Sequence, residues 1–149
     1  MMKKIENLLK TSYARITTSE EPNEKKWVFS SVHNRAFNYN SSALFEYVKK
    51  YHPEIQAFYV MEDPVERKKL QECFGKESII DTSTMEGIRK VLECKVWFTS
   101  TAPPLYGIGF RKKILYYQSV AWGTVKKNRD GAGKSGMDDK AVLQISVCG

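Results

Sequence analysis

The stretch "YYQSVAWGTVKKNRD" (116–130) carries a tyrosine-rich apolar run into a Trp-Gly-Thr turn and then into Lys126, Lys127 and Arg129. Three cations following a strand are well placed to hold diphosphate oxygens, because charge-assisted N–H···O bonds to phosphate are short and strong. The wider segment has the same bias. Of the chain's 24 Lys and Arg, Arg111, Lys112, Lys113, Lys126, Lys127, Arg129, Lys134 and Lys140 fall between positions 111 and 140, against the acids Asp130, Asp138 and Asp139. Most of the net charge of +7 therefore sits in this part of the chain. Such a concentrated positive field favours phosphates, nucleic acid or an anionic membrane surface. The plain alternative is a solvated basic face.

Other residues offer chemistry with less support. His33 stands beyond an apolar run, between Val32 and Asn34, where an imidazole can take a proton or contact a phosphate. A lone loop histidine is more often structural or solvated than catalytic. His52 precedes Pro53 and reads as a helix-end residue. "NRDGAGKS" (128–135) is similar to a phosphate-binding P-loop, but Asn128 stands where its first glycine is required and the chain beyond Ser135 is too short for the rest of that site. "GIGFRKK" (107–113) has Lys112 where a dinucleotide fingerprint needs its third glycine. Cys73, Cys94 and Cys148 show no C-x-x-C spacing, and with only two histidines no zinc site can be assembled. Reduced thiols in the cytosol are the simple reading. No metal or cofactor is called for. There is no RNA-recognition aromatic pattern and no helix-turn-helix signal, so nucleic acid is not the expected partner.

The elements that must position these residues have a clear rhythm. Strands are expected at 26–32, 55–60, 77–81, 95–100 and 112–120. Helices fall between most of them, at 41–51, at 63–74 with Asp63 as N-cap and Pro64 at the first helical position, and after a capping box of Ser83 and Glu86. Strands about every 20 residues with intervening helices indicate βαβ units and a parallel sheet covered on both faces. A Rossmann-like α/β domain follows, with ligands bound outside the carboxyl ends of its strands. Those ends are "SVHNR", "VMEDP", "DTST", "STAPP" and "SVAWGT".

A chain of 149 residues with 42% hydrophobic content supports one compact domain. We divide it into an amphipathic helix and linker (1–25), the Rossmann-like body (26–120) and a basic, glycine-rich tail (121–149) in which only "AVLQISV" (141–147) reads as a strand. In the first segment Ile5, Leu8, Leu9 and Ile16 recur at helical spacing among Lys3, Lys4, Lys10 and Arg15. That helix suits an anionic membrane surface, although most such helices pack on their own domain. No signal peptide and no membrane-spanning run is visible, which gives a cytoplasmic protein.

Taken in order, "WVFSSVHNRAFNYNSSALFEYVKKYHPEIQAFYV", "GIRKVLECKVWFTSTAPP" and "KKILYYQSVAWGTVKK" resemble the N-terminal half of the CDP-glycerol glycerophosphotransferase family, enzymes of teichoic acid and some capsular polymers. Phe29, Ser31, Asn40 and the run Leu44-Phe45-Glu46-Tyr47 match one family motif; Gln118, Trp122, Gly123, Thr124, Lys126 and Lys127 match a later one that reads Q-x-W-H-G-T-P-L-K-K. The resemblance implies the N-terminal, acceptor-side domain of a GT-B arrangement, a CDP-glycerol or related CDP-polyol donor held by a second domain, and a lipid-linked acceptor at the inner face of the membrane. It places Asn34, Asn40, Gln118, Gly123, Thr124, Lys126 and Lys127 at the substrates. Two departures stand out. Trp122 is followed directly by Gly123, so the family histidine between them is missing; Asp130 takes its position if "DGAGKS" is the matching element. The second is the donor-binding domain, which is expected to be absent. The expectation is a truncated or degenerate transferase domain with His33 and Asp130 as candidate bases. The alternative is a module that binds a nucleotide or anionic polymer without chemistry.

Overall fold

Val28 and Phe29 are neighbours in one strand and point to opposite sides of it, as the two-residue period of extended chain requires. Both are fully buried, so that strand is covered on both faces. The computed structural model describes residues 2–17, 21–100, 104–105, 114–119, 124–127 and 133–136. In chain order these form α1 (Met2–Thr17), β1 (Asn23–Ser30), α2 (Tyr39–Tyr51), β2 (Gln56–Val60), α3 (Pro64–Phe74), β3 (Ile79–Ile80), α4 (Met85–Glu93), β4 (Cys94–Thr99), β5 (Leu115–Ser119), β6 (Thr124–Lys127) and β7 (Gly133–Gly136). The strands make one sheet of order β3-β2-β1-β4-β5-β6-β7. The first five are parallel, which is the Rossmann-like arrangement expected from the βαβ rhythm.

Two cores lie against the sheet. On one face Phe29, Ala57, Tyr59 and Ile79 pack with Phe45 and Val48 of α2 and Leu70 of α3. On the other, Val28, Val60, Ile80, Trp97 and Tyr116 pack with Ile88, Val91 and Leu92 of α4 and Ala14 of α1. The strand register aligns Phe29, Phe98 and Tyr117 across β1, β4 and β5. Their rings stack, with centroids 5.4 Å apart for Phe29–Phe98 and 5.0 Å for Phe98–Tyr117. Such cross-strand aromatic pairs fix register as well as burying area.

Local signals account for most boundaries. Asp63 caps α3, accepting from the backbone N–H groups of Val65 and Glu66 at 3.0 Å, and Gly75 ends it with φ of 96°. The cap of α4 differs from expectation. Thr84, not Ser83, accepts from Gly87 N–H at 3.0 Å, while Ser83 turns back to donate to Asp81 Oδ1 and Glu86 pairs with Lys90. Asp81 outcompetes the capping role because its carboxylate is two residues away and already fixed by Arg67 at 2.9 Å.

Three further differences bear on function. β1 stops at Ser30, and Val32–Asn34 form a 3-10 turn instead of the end of the strand. The stretch after 121 contributes β6 and β7, which extend the sheet antiparallel from β5. Main-chain pairing at a sheet edge needs no apolar periodicity, so their sequence gave no signal; the expected strand 141–147 lies outside the described residues. Finally, Cys94 is a buried free thiol, whereas Cys73, read as reduced, is disulfide-bonded.

Candidate functional site

In a parallel sheet the crossovers from β1 to one side and from β4 to the other leave a crevice at the carboxyl ends of these two strands. Here that crevice is floored by small polar side chains. Ser30, Ser31, Ser41, Ser42, Thr99 and Ser100 are all buried. Burying hydroxyls is unfavourable unless they are bonded, and the network is dense. Ser100 Oγ donates to Ser41 Oγ at 2.9 Å, Ser31 Oγ donates to Asn38 Oδ1, and Tyr59 Oη donates to Ala36 O at 2.9 Å. The Ser100 backbone N–H donates to Ser30 O at 3.2 Å, joining the residue after β4 to the carboxyl end of β1. Burial pushes the Tyr59 hydroxyl up to about 12, so it stays a neutral donor.

Above this floor, His33 and Asn34 both adopt the left-handed backbone region, with φ of 50° and 57°. A non-glycine residue there costs about 1–2 kcal/mol, and the surroundings offset it. Asn34 is buried; its Nδ2 donates to Pro104 O at 2.9 Å, its N–H donates to Ser31 O at 3.1 Å, and its O accepts from Glu62 N–H at 2.6 Å. Asn34 thus ties together the loops after β1, β2 and β4. His33, held on the same turn, is exposed at the rim, and Arg35 beside it is also exposed. Glu62 follows β2, with one carboxylate oxygen accepting from Thr82 Oγ1 at 3.2 Å. His33 and Arg35 are thus exposed residues of the turn that follows β1, and the backbone of Glu62, after β2, is bonded to that turn through Asn34 O.

The other residues singled out from sequence are only partly gathered here. Asn40 is an exposed residue in the first turn of α2. Gln118 lies near the carboxyl end of β5, in register with Thr99 of β4 and with Lys126 of β6. Thr124 begins β6 at that same end, and Lys127 pairs further back with Tyr117. Lys126 and Lys127 are thus part of a strand and not of a loop that follows the last one; backbone pairing has drawn the basic run into the sheet. Gly123, Arg129 and Asp130 lie outside the described residues. Among the described residues there is no cluster of three or more metal-ligating side chains. The hydroxyl floor was missed in sequence, and Asn34, expected at the substrates, is a buried residue that clamps the turn to Pro104 O. A groove of about 380 Å³ along β3, between α3 and α4, is lined by Gln71, Lys76, Asp81, Gly87 and Lys90 and by none of these candidates.

Within α2, Phe45 is in the core and Glu46 is half-buried, with an Oε1 that is shielded from solvent and meets no hydrogen-bond donor. Burial raises its carboxyl above the usual range.

The family model described as CDP-Glycerol:Poly(glycerophosphate) glycerophosphotransferase matches residues 12–125. None of the curated proteins matches the chain significantly. Among solved structures, a variant of the wall teichoic acid polymerase TagF soaked with CDPG for 15 minutes superposes with a TM-score of 0.62 at 18% identity, covering 80% of this chain and 29% of that one. A structure of TagF itself gives 0.58 at 17% identity, covering 83% of this chain and 28% of that one. At such identities the likeness is one of fold, and this chain spans under a third of the polymerase's length.

Proposed function

Since the chain belongs to the CDP-glycerol:poly(glycerophosphate) glycerophosphotransferase family, we propose that it takes part in polyol-phosphate transfer during synthesis of wall teichoic acid or a related capsular polymer. In this reading residues 26–120 are the body of the acceptor-side domain of a GT-B arrangement, and a separate domain holds the CDP-polyol donor. The family match over 12–125, laid on a β1–β4 crevice with a polar floor and a fixed His33 turn, is the observation that carries it. An acceptor hydroxyl attacks the phosphorus next to the polyol, the diphosphate P–O bond breaks, CMP leaves, and the hydroxyl proton passes to a base.

His33 is the base we propose from this chain's described residues, with Asp130 as the rival that the motif alignment offers. Arg35 on the same turn, Asn40, Gln118, Gly123, Thr124, Lys126 and Lys127 serve the substrates, while Asn34 holds the turn. Among the described residues no helix is long and apolar enough to cross a membrane. A lipid-linked acceptor then places the work at the cytoplasmic face of the membrane, with the protein bound peripherally. One observation favours a second reading, a module that binds without chemistry: Trp122 runs straight into Gly123 without the family histidine.

The test is transfer of labelled glycerol phosphate from CDP-glycerol to a lipid-linked acceptor, with this chain alone and with a donor-binding domain supplied. The transferase reading expects product only with the added domain, and loss of at least a hundredfold in His33→Ala, the scale of a missing general base. Absence of product in both arms, with saturable CDP-glycerol binding retained, would favour the binding module.

A further inference from the structure

Backbone pairing sets two lysines directly across from each other. Lys134, which the sequence places in a P-loop-like run, is the register partner of Lys126, and Lys126 is in turn the partner of Gln118 on β5. Gln118 pairs with Thr99 of β4. Register partners share a face of the sheet, so Thr99, Gln118, Lys126 and Lys134 form one row across four strands, near the carboxyl ends of β4 and β5. Lys127 is the partner of Tyr117 and falls on the opposite face. The two lysines adjacent in sequence are therefore separated by the sheet, and two that are distant in sequence are brought together.

A directly opposed pair of like charges is a liability in a sheet. Register partners stand about 5 Å apart at Cβ, and like charges there are destabilising. An acid on a neighbouring strand would relieve the repulsion. The strands β5, β6 and β7 read LYYQS, TVKK and GKSG, with three lysines and no carboxylate among them. What answers two ammonium groups at this spacing is an anion that both can reach. The position of the row indicates which anion. It meets the crevice at Thr99, the register partner of Ser30, and ligands of parallel α/β sheets bind outside the carboxyl ends of the strands. Phosphate fits there, because its oxygens accept several charge-assisted N–H bonds at once.

We propose that Lys126 and Lys134 together hold one phosphate group of a substrate, which makes Lys134 a further binding residue. The proposal deepens the transferase reading and rests on it only for the source of the phosphate: the diphosphate of a CDP-polyol, or a phosphodiester of a polymeric acceptor. The test is isothermal titration calorimetry on the full chain, with CDP-glycerol in one arm and a short poly(glycerol phosphate) in the other. The wild type binds and weakens as salt rises. Lys126→Gln and Lys134→Gln each lose about tenfold, the scale of one charge-assisted bond. Lys134→Gln loses more than Lys127→Gln, the reverse of what closeness in sequence would give. In Lys126→Gln/Lys134→Gln the two losses do not multiply, because both lysines act on the same group. Lys76→Gln removes an exposed charge beside β3, at the far edge of the sheet, and binds like wild type. Without ligand, Lys134→Gln melts no lower than wild type, since it removes a repulsion, and this confirms that the variant folds.

Losses in the CDP-glycerol arm assign the pair to the donor, and losses in the polymer arm assign it to the acceptor. A wild type that binds neither ligand overturns the proposal, as does Lys134→Gln at wild-type affinity in both arms. Single losses that multiply in the double variant also overturn it, because they mark two independent contacts. A single-stranded oligonucleotide that competes more tightly than either ligand overturns it in favour of a nucleic-acid surface. The calorimetric readout needs no turnover. A chain that binds through the pair but transfers nothing with a donor-binding domain supplied refutes only the transferase reading; one that transfers, with Lys134→Gln at the wild-type KM, refutes only the pair.

Discussion

Replacing Asn34 by alanine removes a buried bond and exposes a backbone cost at once. The side-chain amide donates to Pro104 O at 2.9 Å in a buried setting. Deleting it leaves that carbonyl without its partner, which costs about 1–3 kcal/mol. The residue also has φ of 57°. Asparagine tolerates this region through local side-chain bonding, whereas alanine there costs about 1–2 kcal/mol. Together the two effects predict about 2–5 kcal/mol of lost stability. For a domain of this size about 3 kcal/mol lowers the melting temperature by about 6–12 °C. Asn34→Gly separates the two contributions: it loses the same bond but meets no left-handed penalty, so it falls by about 1 kcal/mol less than alanine. Urea unfolding followed by tryptophan fluorescence measures both, read as a shift in midpoint at unchanged slope. An alanine variant within about 0.5 kcal/mol of wild type, a surface-like value, would refute the clamp. A glycine variant no better than alanine would refute the backbone argument even if the clamp stood.

Two further outcomes follow from packing and from titration. In Gly87→Ala the new Cβ would sit 1.9 Å from Asp81 O and 2.7 Å from Asp81 C, both backbone atoms, so α4 must move off the β3 loop; we expect a loss of about 3 kcal/mol or more, the upper end for overpacking, and a calorimetric melting point near wild type would contradict it. Glu46 keeps its proton more tightly when folded, because burial raises its carboxyl. Its contribution to stability is therefore fully present below the unfolded carboxyl range and declines as pH rises through the raised value. Glu46→Gln should match wild type below the unfolded carboxyl range and become the more stable of the two as pH rises through the raised value; a difference that stays flat across that range would show that Glu46 is not the cause.

The site was legible in outline and illegible in detail, for one physical reason. "SVHNR" and "STAPP" could be placed at strand ends from periodicity alone, because each strand announces itself within a few residues. That Asn34 reaches Pro104, 70 positions away, depends on two loops meeting across β1 and β4. His33 was noticed as a residue type, but its left-handed turn exists only because Ser31, Glu62 and Pro104 hold its neighbour. Asp81 against Ser83 is the same lesson at short range: both residues could cap or turn, and Arg67, from another helix, decided between them.

Local sequence determined the alternation of strands and helices, the Asp63 cap, the stop at Gly75 and the amphipathic pattern of α1, because hydrophobic period and turn chemistry are properties of consecutive residues. The tertiary structure alone decided three things. It drew the unpatterned residues 124–127 and 133–136 into the sheet, through main-chain pairing that no side-chain period records. It closed the hydroxyl floor of the crevice by bringing Ser41 and Ser100 together. And it turned α1 so that Thr11 and Ala14 face inward and Ile5, Leu9 and Ile16 face out, since the hydrophobic period of a helix gives the width of its apolar side but not the neighbour it will meet.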